Sequence, residues 1–252
     1  MTTVPKRKPK SLVRNNARKN PLASKTCRNL KEVKGKNKLP ISGSEPVLNM
    51  RQWGSAKAIT GANCYSFALD DRNYSPIKAV PGNKTHFPDL EKITCPILRK
   101  RLMADSPGKI IPTKEKTKCS KGSYKIYMVA DVNGRDFHFY RQVNDVKYWV
   151  RPGDTLRSIA KFFSISVDRI RACNPGIKTP LKVGSLIYLR SLGVFFQKRG
   201  YATGALIKNA DGKRIDDPSK SSGDFSKTET YGLNYKKSCG FFCVKVGTKS
   251  HN

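Results

Sequence analysis

Residues 148–190 have the pattern of a small folding unit that is complete in itself. The letters YWV predict a strand, and PGD ends that strand at a turn. Asp154 is placed to cap a helix whose apolar residues recur at positions i, i+3, i+4 and i+7. These apolar residues are Leu156, Ile159, Ala160 and Phe163. Because the spacing puts all four on one helix face, the stretch is predicted to bury a core of its own.

A second helix and a closing strand complete this pattern. Ser166 is placed to cap the second helix, which carries Val167 and Ile170 as its apolar residues. The letters NPG end the helix, because Pro175 disfavours helical geometry at Asn174. GSLIYLR then has the composition of a strand. The predicted order is therefore strand, helix, helix, strand.

Three blocks of this stretch, YWVRPGDTLRSIA, ISVDRIRACNPG and LKVGSLIYL, together resemble the LysM domain. The resemblance implies the βααβ fold and the binding of N-acetylglucosamine chains such as peptidoglycan or chitin. It places the sugar in a shallow groove between the first strand-to-helix loop and the second helix-to-strand loop. The implied glycan-binding residues are Gly153, Asp154, Thr155, Leu156, Asn174, Pro175, Gly176 and Ile177. The alternative is that the turn, the helix cap and the core require several of these residues.

The segments on either side of this unit predict a second body of mixed α and β structure. NCYSFAL indicates the start of a helix, and SYKIYMVADV and DFHFYRQV are predicted to pair as strands across the turn NGR. GVFFQKRG, TGALIKNADGKRI and CGFFCVKV repeat the strand pattern after the unit. The polar stretch 104–123 is predicted to be a loop.

These flanking blocks resemble, in order, the motifs of a papain-like family of bacteria, phages and large DNA viruses. The resemblance implies an α+β fold in which the LysM unit interrupts a host domain between two strands. The two halves of the host must then pair through strands. The predicted divisions are a basic extended arm at 1–45, a discontinuous papain-like domain at 46–147 plus 191–247, the LysM domain at 148–190 and a tail at 248–252.

The papain-like resemblance also implies a cysteine and histidine pair. Cys64 lies at the start of a predicted helix, where the dipole favours a thiolate, and His138 on a strand can take its proton. Gln197 stands where the resembled family has a second His. Gln197 can accept a hydrogen bond from the ring but carries no charge, which favours an inactive site. Alternatively, Cys64 is a small buried residue and His138 makes a single structural hydrogen bond.

The chain is strongly basic, and this predicts an acidic partner. Its 50 Lys and Arg against 18 Asp and Glu give a formal net charge of +32. Nucleic acid, anionic lipid and acidic protein surfaces all suit such a charge. Without a recognised DNA-binding or RNA-binding motif, nucleic-acid binding is predicted to be independent of sequence. No apolar run is long enough for a membrane span and MTTVPKRKPK lacks a secretory signal, so a soluble intracellular chain is the expectation.

The seven cysteines are predicted to be mostly reduced and buried. They are an odd number and lack the paired CxxC spacing of a zinc ribbon. His86 and His251 have no neighbouring metal-binding residues in the sequence. We therefore expect no metal and no cofactor.

Taken together, these features predict a structural protein of a virion. The flanking resemblance, the basic composition and the missing second His favour a minor capsid protein of a large icosahedral DNA virus, such as those that infect algae. Its basic arm is then expected to bind neighbouring capsid proteins. The alternative is a cysteine hydrolase, acting on a peptide or a peptidoglycan amide, that the LysM domain directs to a wall glycan. A third alternative is nucleic-acid binding without sequence preference.

Overall fold

The computed structural model describes residues 38–75, 77–85, 93–227 and 232–250, together with Cys27 and Leu30. Most of the predicted basic arm therefore lies outside the described residues, as do His86 and His251. The described part contains both helices and sheets, which confirms an α+β fold. None of its helices is long and apolar enough to cross a membrane.

The described helices are short, and most of the strands belong to one large sheet. The helices are α1 (Met50–Trp53), α2 (Ala56–Gly61), α3 (Cys64–Ala68), α4 (Cys95–Asp105), α5 (Leu156–Phe163) and α6 (Val167–Cys173). The strands are β1 (Leu48–Asn49), β2 (Ile110–Thr113), β3 (Ser123–Ala130), β4 (Phe137–Val143), β5 (Val146–Trp149), β6 (Leu186–Leu189), β7 (Val194–Lys198), β8 (Ala205–Leu206) and β9 (Lys237–Lys245). β2 lies inside the stretch 104–123, and α4 and β3 extend into its two ends, so the prediction of a loop is wrong at these residues.

Six strands form a sheet in the order β2-β9-β3-β4-β7-β8. β4 precedes the LysM unit and β7 follows it, yet the two pair antiparallel, with Tyr140 opposite Gln197. β9, near the C-terminal end of the chain, lies between β2 and β3. The sheet is therefore built from segments on both sides of residues 148–190, and it places His138 on β4 next to Gln197 on β7.

The second sheet has three strands in the order β1-β5-β6. β5 and β6 pair antiparallel and close the LysM unit, with Val146 opposite Leu189. β1 comes from outside the unit and runs parallel to β5. The sequence pattern predicted a self-contained unit, but the sheet of this unit takes a strand, β1, from the preceding segment.

The core of the LysM unit is continuous with that of the flanking segments. Leu156 and Phe163 of α5 belong to the same buried cluster as Leu48, Met50 and Phe196. Phe196 lies on β7, directly before Gln197. Because buried apolar contacts are close-packed, the two parts of the chain are joined by packing as well as by the polypeptide.

Thr155, rather than the predicted Asp154, caps α5. The Thr155 hydroxyl accepts a hydrogen bond from the Ser158 N–H at 3.0 Å, and the Ser158 hydroxyl accepts one from the Thr155 N–H at 2.9 Å. Asp154 instead accepts hydrogen bonds from the Tyr148 hydroxyl at 2.8 Å and the Arg151 N–H at 2.7 Å. Asp154 therefore stabilises the turn before the helix. The predicted cap of α6, Ser166, is confirmed.

Six of the seven cysteines form disulfides, so the prediction that most are reduced is wrong. The pairs are Cys27–Cys173, Cys95–Cys239 and Cys119–Cys243. The paired residues are at least 124 positions apart in the sequence, and only the fold brings their Cα atoms to within 5.6 Å. Cys64 is the one free cysteine, and it is buried.

Both ends of the predicted host domain extend further than the sequence indicated. Leu39, assigned to the arm, is buried, and its carbonyl accepts a hydrogen bond from the Gln142 side chain at 3.1 Å. Ser250, assigned to the tail, is also buried and donates its hydroxyl to Asp71 at 2.8 Å. Polar residues with a buried partner belong to the folded body, although their sequence neighbours resemble linkers.

Candidate active site and glycan groove

Cys64 is the first residue of α3, and Asn63 fixes the start of this helix. The Asn63 Oδ1 atom accepts hydrogen bonds from the N–H groups of Tyr65 and Ser66, both at 3.1 Å. Its Nδ2 atom donates to the Ala79 carbonyl at 2.6 Å. The helix therefore begins at a defined residue, because the capping side chain satisfies two of its free donors and is itself anchored to a second segment.

His138 and Gln197 form a direct hydrogen bond across the pair of strands β4 and β7. The His138 Nε2 atom lies 2.8 Å from Gln197 Oε1. The Gln197 Nε2 atom donates to the Lys208 carbonyl at 2.5 Å. The amide oxygen of Gln197 is therefore the end that faces the ring. Because Oε1 can only accept, Nε2 of the neutral imidazole carries the proton. The other ring nitrogen, Nδ1, is then the basic one.

Cys64 and His138 line the same pocket, which has a volume of about 150 Å³. The Cys64 thiol donates to the Phe137 carbonyl at 3.8 Å, so it lies against the residue that precedes His138. The Tyr235 ring packs on the imidazole, with centroids 5.0 Å apart and planes inclined by 30°. The structure thus brings together the three predicted residues of the site, since Gln197 orients the ring that faces this pocket.

Burial controls the protonation of both reactive groups. It raises the pKa of the Cys64 thiol to about 12, with the Asp136 carboxylate as a second cause and Lys78 opposing it. Burial also lowers the pKa of His138 to about 4, although the hydrogen bond to Gln197 partly offsets this effect. At neutral pH the site therefore holds a thiol and a neutral imidazole. A nucleophilic reaction at Cys64 therefore needs a base to remove the thiol proton as the sulfur attacks.

Lys198, which the sequence analysis did not single out, holds the two sides of the pocket together. Its buried ammonium group donates to the carbonyls of Ile59 at 3.3 Å and Gly200 at 2.5 Å, and also to the carbonyl of Ala62. Burial lowers the pKa of Lys198 to about 8. Ala62 precedes the helix cap of Cys64, so this lysine connects the end of β7 to the segment that carries the thiol. The sequence did carry a sign of this role, because the largely apolar run VFFQK ends in a lysine.

A second pocket lies on the LysM unit and has a volume of about 320 Å³. It is lined by the second-loop residues of the predicted glycan groove, together with part of β6. The predicted residues in its lining are Asn174, Pro175, Gly176 and Ile177. Cys173, which forms the disulfide with Cys27, also lines it. The disulfide therefore holds Cys27 beside a residue that lines this pocket.

The first-loop residues of the predicted groove do not line this pocket. Leu156 is buried in the core, and Asp154 is engaged by the turn. Gly153 and Thr155 are exposed on the surface. On the second loop, the Asn174 amide donates to the Tyr188 carbonyl and accepts from its N–H, both at 2.8 Å. Several of the predicted residues, among them the helix cap Thr155, therefore have structural roles, and the exposed residues are accessible to a sugar.

Residues 148–189 match the sequence model of the LysM domain. The chain therefore contains a LysM domain, and the prediction from the sequence pattern is confirmed. This finding supports carbohydrate binding and suggests glycans of N-acetylglucosamine as the ligand class. Neither the curated proteins nor the solved structures that were compared with the chain gave a match.

Proposed function

We propose that this protein is a cysteine hydrolase that its LysM domain directs to a glycan of N-acetylglucosamine. The observation that supports the reaction is the fixed chain of hydrogen bonds from Lys208 through Gln197 to His138, with the Cys64 thiol in the same pocket. This chain of hydrogen bonds leaves Nδ1 as the basic ring nitrogen, and the base of a cysteine hydrolase uses such a nitrogen to take the thiol proton. The resemblance of the flanking motifs to a papain-like family agrees with this arrangement.

The substrate class follows from the two parts of the molecule. A thiol nucleophile with a neutral histidine base suits acyl transfer, in which an amide or ester is cleaved through a thioester. A LysM domain suits a wall glycan, so a peptide or amide attached to peptidoglycan is the proposed target. The shared core, with Phe196 packed in the same cluster as Leu156, joins the LysM domain to the strand that pairs with the one carrying His138.

Labelling with iodoacetamide tests the reactive pair directly, because the other six cysteines are in disulfides. Without a reductant, alkylation of the native chain reports on Cys64 alone. We expect one adduct at neutral pH, its loss in Cys64→Ser and a slower reaction in His138→Ala. The same chain is expected to sediment with peptidoglycan or chitin in a way that excess soluble chito-oligosaccharide reverses. An unreactive Cys64 in the native chain would remove the hydrolase proposal.

A second candidate function, as a minor capsid protein of a large DNA virus, is supported by the charge and the disulfides. A net charge of +32 suits binding to acidic protein surfaces, and the same charge suits nucleic acid without sequence preference. Disulfides persist on virions and in other oxidising surroundings. Mass spectrometry and cryo-EM of purified particles test this candidate, since a capsid protein is present in fixed stoichiometry and contacts other capsid chains. Its absence from particles would exclude the role.

A further inference from the structure

Tyr201 lines the pocket of Cys64 and His138 and carries a hydroxyl that the contacts among the described residues leave unexplained. It follows β7 after two residues, and it lines this pocket together with Gly200. Its hydroxyl oxygen is buried and has no hydrogen-bond partner within the described ranges. Buried polar groups are nearly always hydrogen-bonded, so an unsatisfied one beside a nucleophile points to a partner that arrives with the substrate.

The backbone around Tyr201 is fixed by the same lysine that holds the thiol segment. The Lys198 ammonium lies 5.9 Å from the centroid of the Tyr201 ring and donates to the Gly200 carbonyl at 2.5 Å. It also donates to the carbonyl of Ala62, two residues before Cys64. The hydroxyl is therefore held on a support shared with the nucleophile, which is the condition for a preorganised donor.

The other polar side chains of this pocket already have partners. Asp136 accepts hydrogen bonds from Lys78 at 3.1 Å and from the Tyr235 hydroxyl at 2.8 Å. Asn63 caps α3 and donates to Ala79. Burial raises the pKa of Tyr201, so its hydroxyl keeps its proton at neutral pH. Among the described residues that line the pocket, Tyr201 thus carries a buried side-chain hydroxyl that has no hydrogen-bond partner.

We propose that the Tyr201 hydroxyl donates a hydrogen bond to the carbonyl oxygen of the substrate and stabilises the negative charge that forms there when Cys64 attacks. This inference rests on the proposed hydrolase function and adds a catalytic residue to it. Removal of one donor of this kind slows acyl transfer by about 100-fold in enzymes that depend on it.

The step balances in protons and electrons. The Cys64 thiol gives its proton to Nδ1 of His138, and the sulfur forms a bond to the carbonyl carbon. The carbonyl π electron pair moves to the oxygen, where the Tyr201 hydroxyl donates to it. The electron pair returns as the bond to the leaving group breaks, and His138 passes the proton to that amine or alcohol. Water then hydrolyses the thioester by the same route, which releases the acid and restores the thiol.

Two probes of Cys64 separate this role from the general reactivity of the thiol. Alkylation by iodoacetamide displaces iodide at a saturated carbon and forms no oxyanion. Acylation by 4-nitrophenyl acetate passes through an oxyanion and releases 4-nitrophenol. We expect Tyr201→Phe to slow acylation about 100-fold and to change alkylation less than twofold. Tyr74→Phe is the matched control, because it also removes a buried hydroxyl but from a residue outside this pocket.

The possible outcomes are distinct. A selective loss of acylation in Tyr201→Phe, with Tyr74→Phe unchanged, supports the proposal. If Tyr201→Phe slows both reactions equally or neither, the role of Tyr201 is overturned while the hydrolase function stands. If the native chain reacts with neither probe, the hydrolase function is overturned and the role of Tyr201 with it. Thermal unfolding of each variant confirms that the fold is retained. A Tyr201→Phe chain that unfolds at assay temperature is replaced by Tyr201→Leu, which also lacks a donor and for which the same selective loss is expected.

Discussion

The LysM domain and the Cys64 pocket are built from the chain in opposite ways. The LysM domain uses one continuous stretch, and its helices α5 and α6 bury residues at regular helical spacing. The pocket collects its lining from widely separated segments that carry Cys64, Lys78, His138, Tyr201 and Tyr235. A local pattern therefore reveals the first region, whereas only the pairing of β4 with β7 creates the second.

The LysM domain nevertheless shares a hydrophobic core with Leu48 of β1 and Phe196 of β7, the strand that pairs with the one carrying His138, and a substitution at Leu48 tests this link most strongly. Leu48 is buried on β1, outside the LysM stretch, and pairs with Val146 of β5. We expect Leu48→Ala to lower the free energy of unfolding by about 4 kcal/mol, because it leaves a cavity in this core. Chemical denaturation followed by both Trp fluorescence and Cys64 labelling is expected to show one transition. Two separate transitions would mean that the LysM domain unfolds independently.

The dependence of stability on pH reports on the pocket through His138, because the LysM domain contains no histidine. The pKa of His138 is about 4 in the folded chain, below the ordinary value of 6.5. The unfolded chain therefore binds the proton first, and stability falls as pH drops from 6.5 through 4, by about 3 kcal/mol in total. We expect this loss in the native chain relative to His138→Asn, measured by urea denaturation between pH 4 and 7.5. A difference between the two that is independent of pH would contradict the burial of a neutral imidazole.

Gln197 tests whether the orientation of the ring matters to the chemistry. Gln197→Leu removes the acceptor of the His138 Nε2 proton and is expected to slow acylation of Cys64 by about 100-fold, equivalent to about 2.7 kcal/mol. Glycan sedimentation is expected to be unchanged, because the LysM groove does not contain this residue. Gln197→Glu is the matched variant, since it retains an acceptor and is expected to keep more activity than the leucine variant. Equal rates in all three chains would show that Gln197 is only a structural residue.

The smallest effect is expected at the cap of α5, where the sequence pattern and the structure disagree by one residue. Thr155→Ala removes the hydroxyl that accepts from Ser158 and is expected to cost about 1 kcal/mol of unfolding free energy. The pocket chemistry is expected to stay as in the native chain. Urea denaturation measures the first effect and 4-nitrophenol release the second. No change in stability would mean that solvent replaces this cap.

Local signals in the sequence were sufficient for the LysM domain but not for its surroundings. Periodicity identified the buried face of α5, and Ser166 was correctly predicted as a cap. Asp154 and Thr155 are both good capping residues. The sequence could not show which of them caps α5, because Asp154 is taken up by a hydrogen bond from Tyr148 that only the fold creates. The contribution of β1 to the sheet was hidden, because two residues carry no periodicity.

Only part of the pocket could be predicted, because the residues that form it are far apart in the sequence. Motif resemblance selected Cys64, His138 and Gln197, which the strands bring together. Lys198 and Tyr201 carried no such motif, and the carbonyl groups of Ile59 and Ala62 that Lys198 contacts are far away in the sequence. The disulfides were missed for the same reason, since a cysteine does not indicate its partner until the fold places the two side chains together.

Trapping of an acyl group on Cys64 shows directly whether this pocket performs acyl transfer. The native chain, treated with 4-nitrophenyl acetate without a reductant, is quenched in acid and analysed by intact and peptide mass spectrometry. We expect a single acetyl thioester on Cys64 that hydroxylamine removes, and none in Cys64→Ser or, at the same short time, in His138→Ala. An unmodified Cys64 in the folded chain, together with ready modification of the same thiol after urea unfolding, would contradict the claim that this pocket performs acyl transfer.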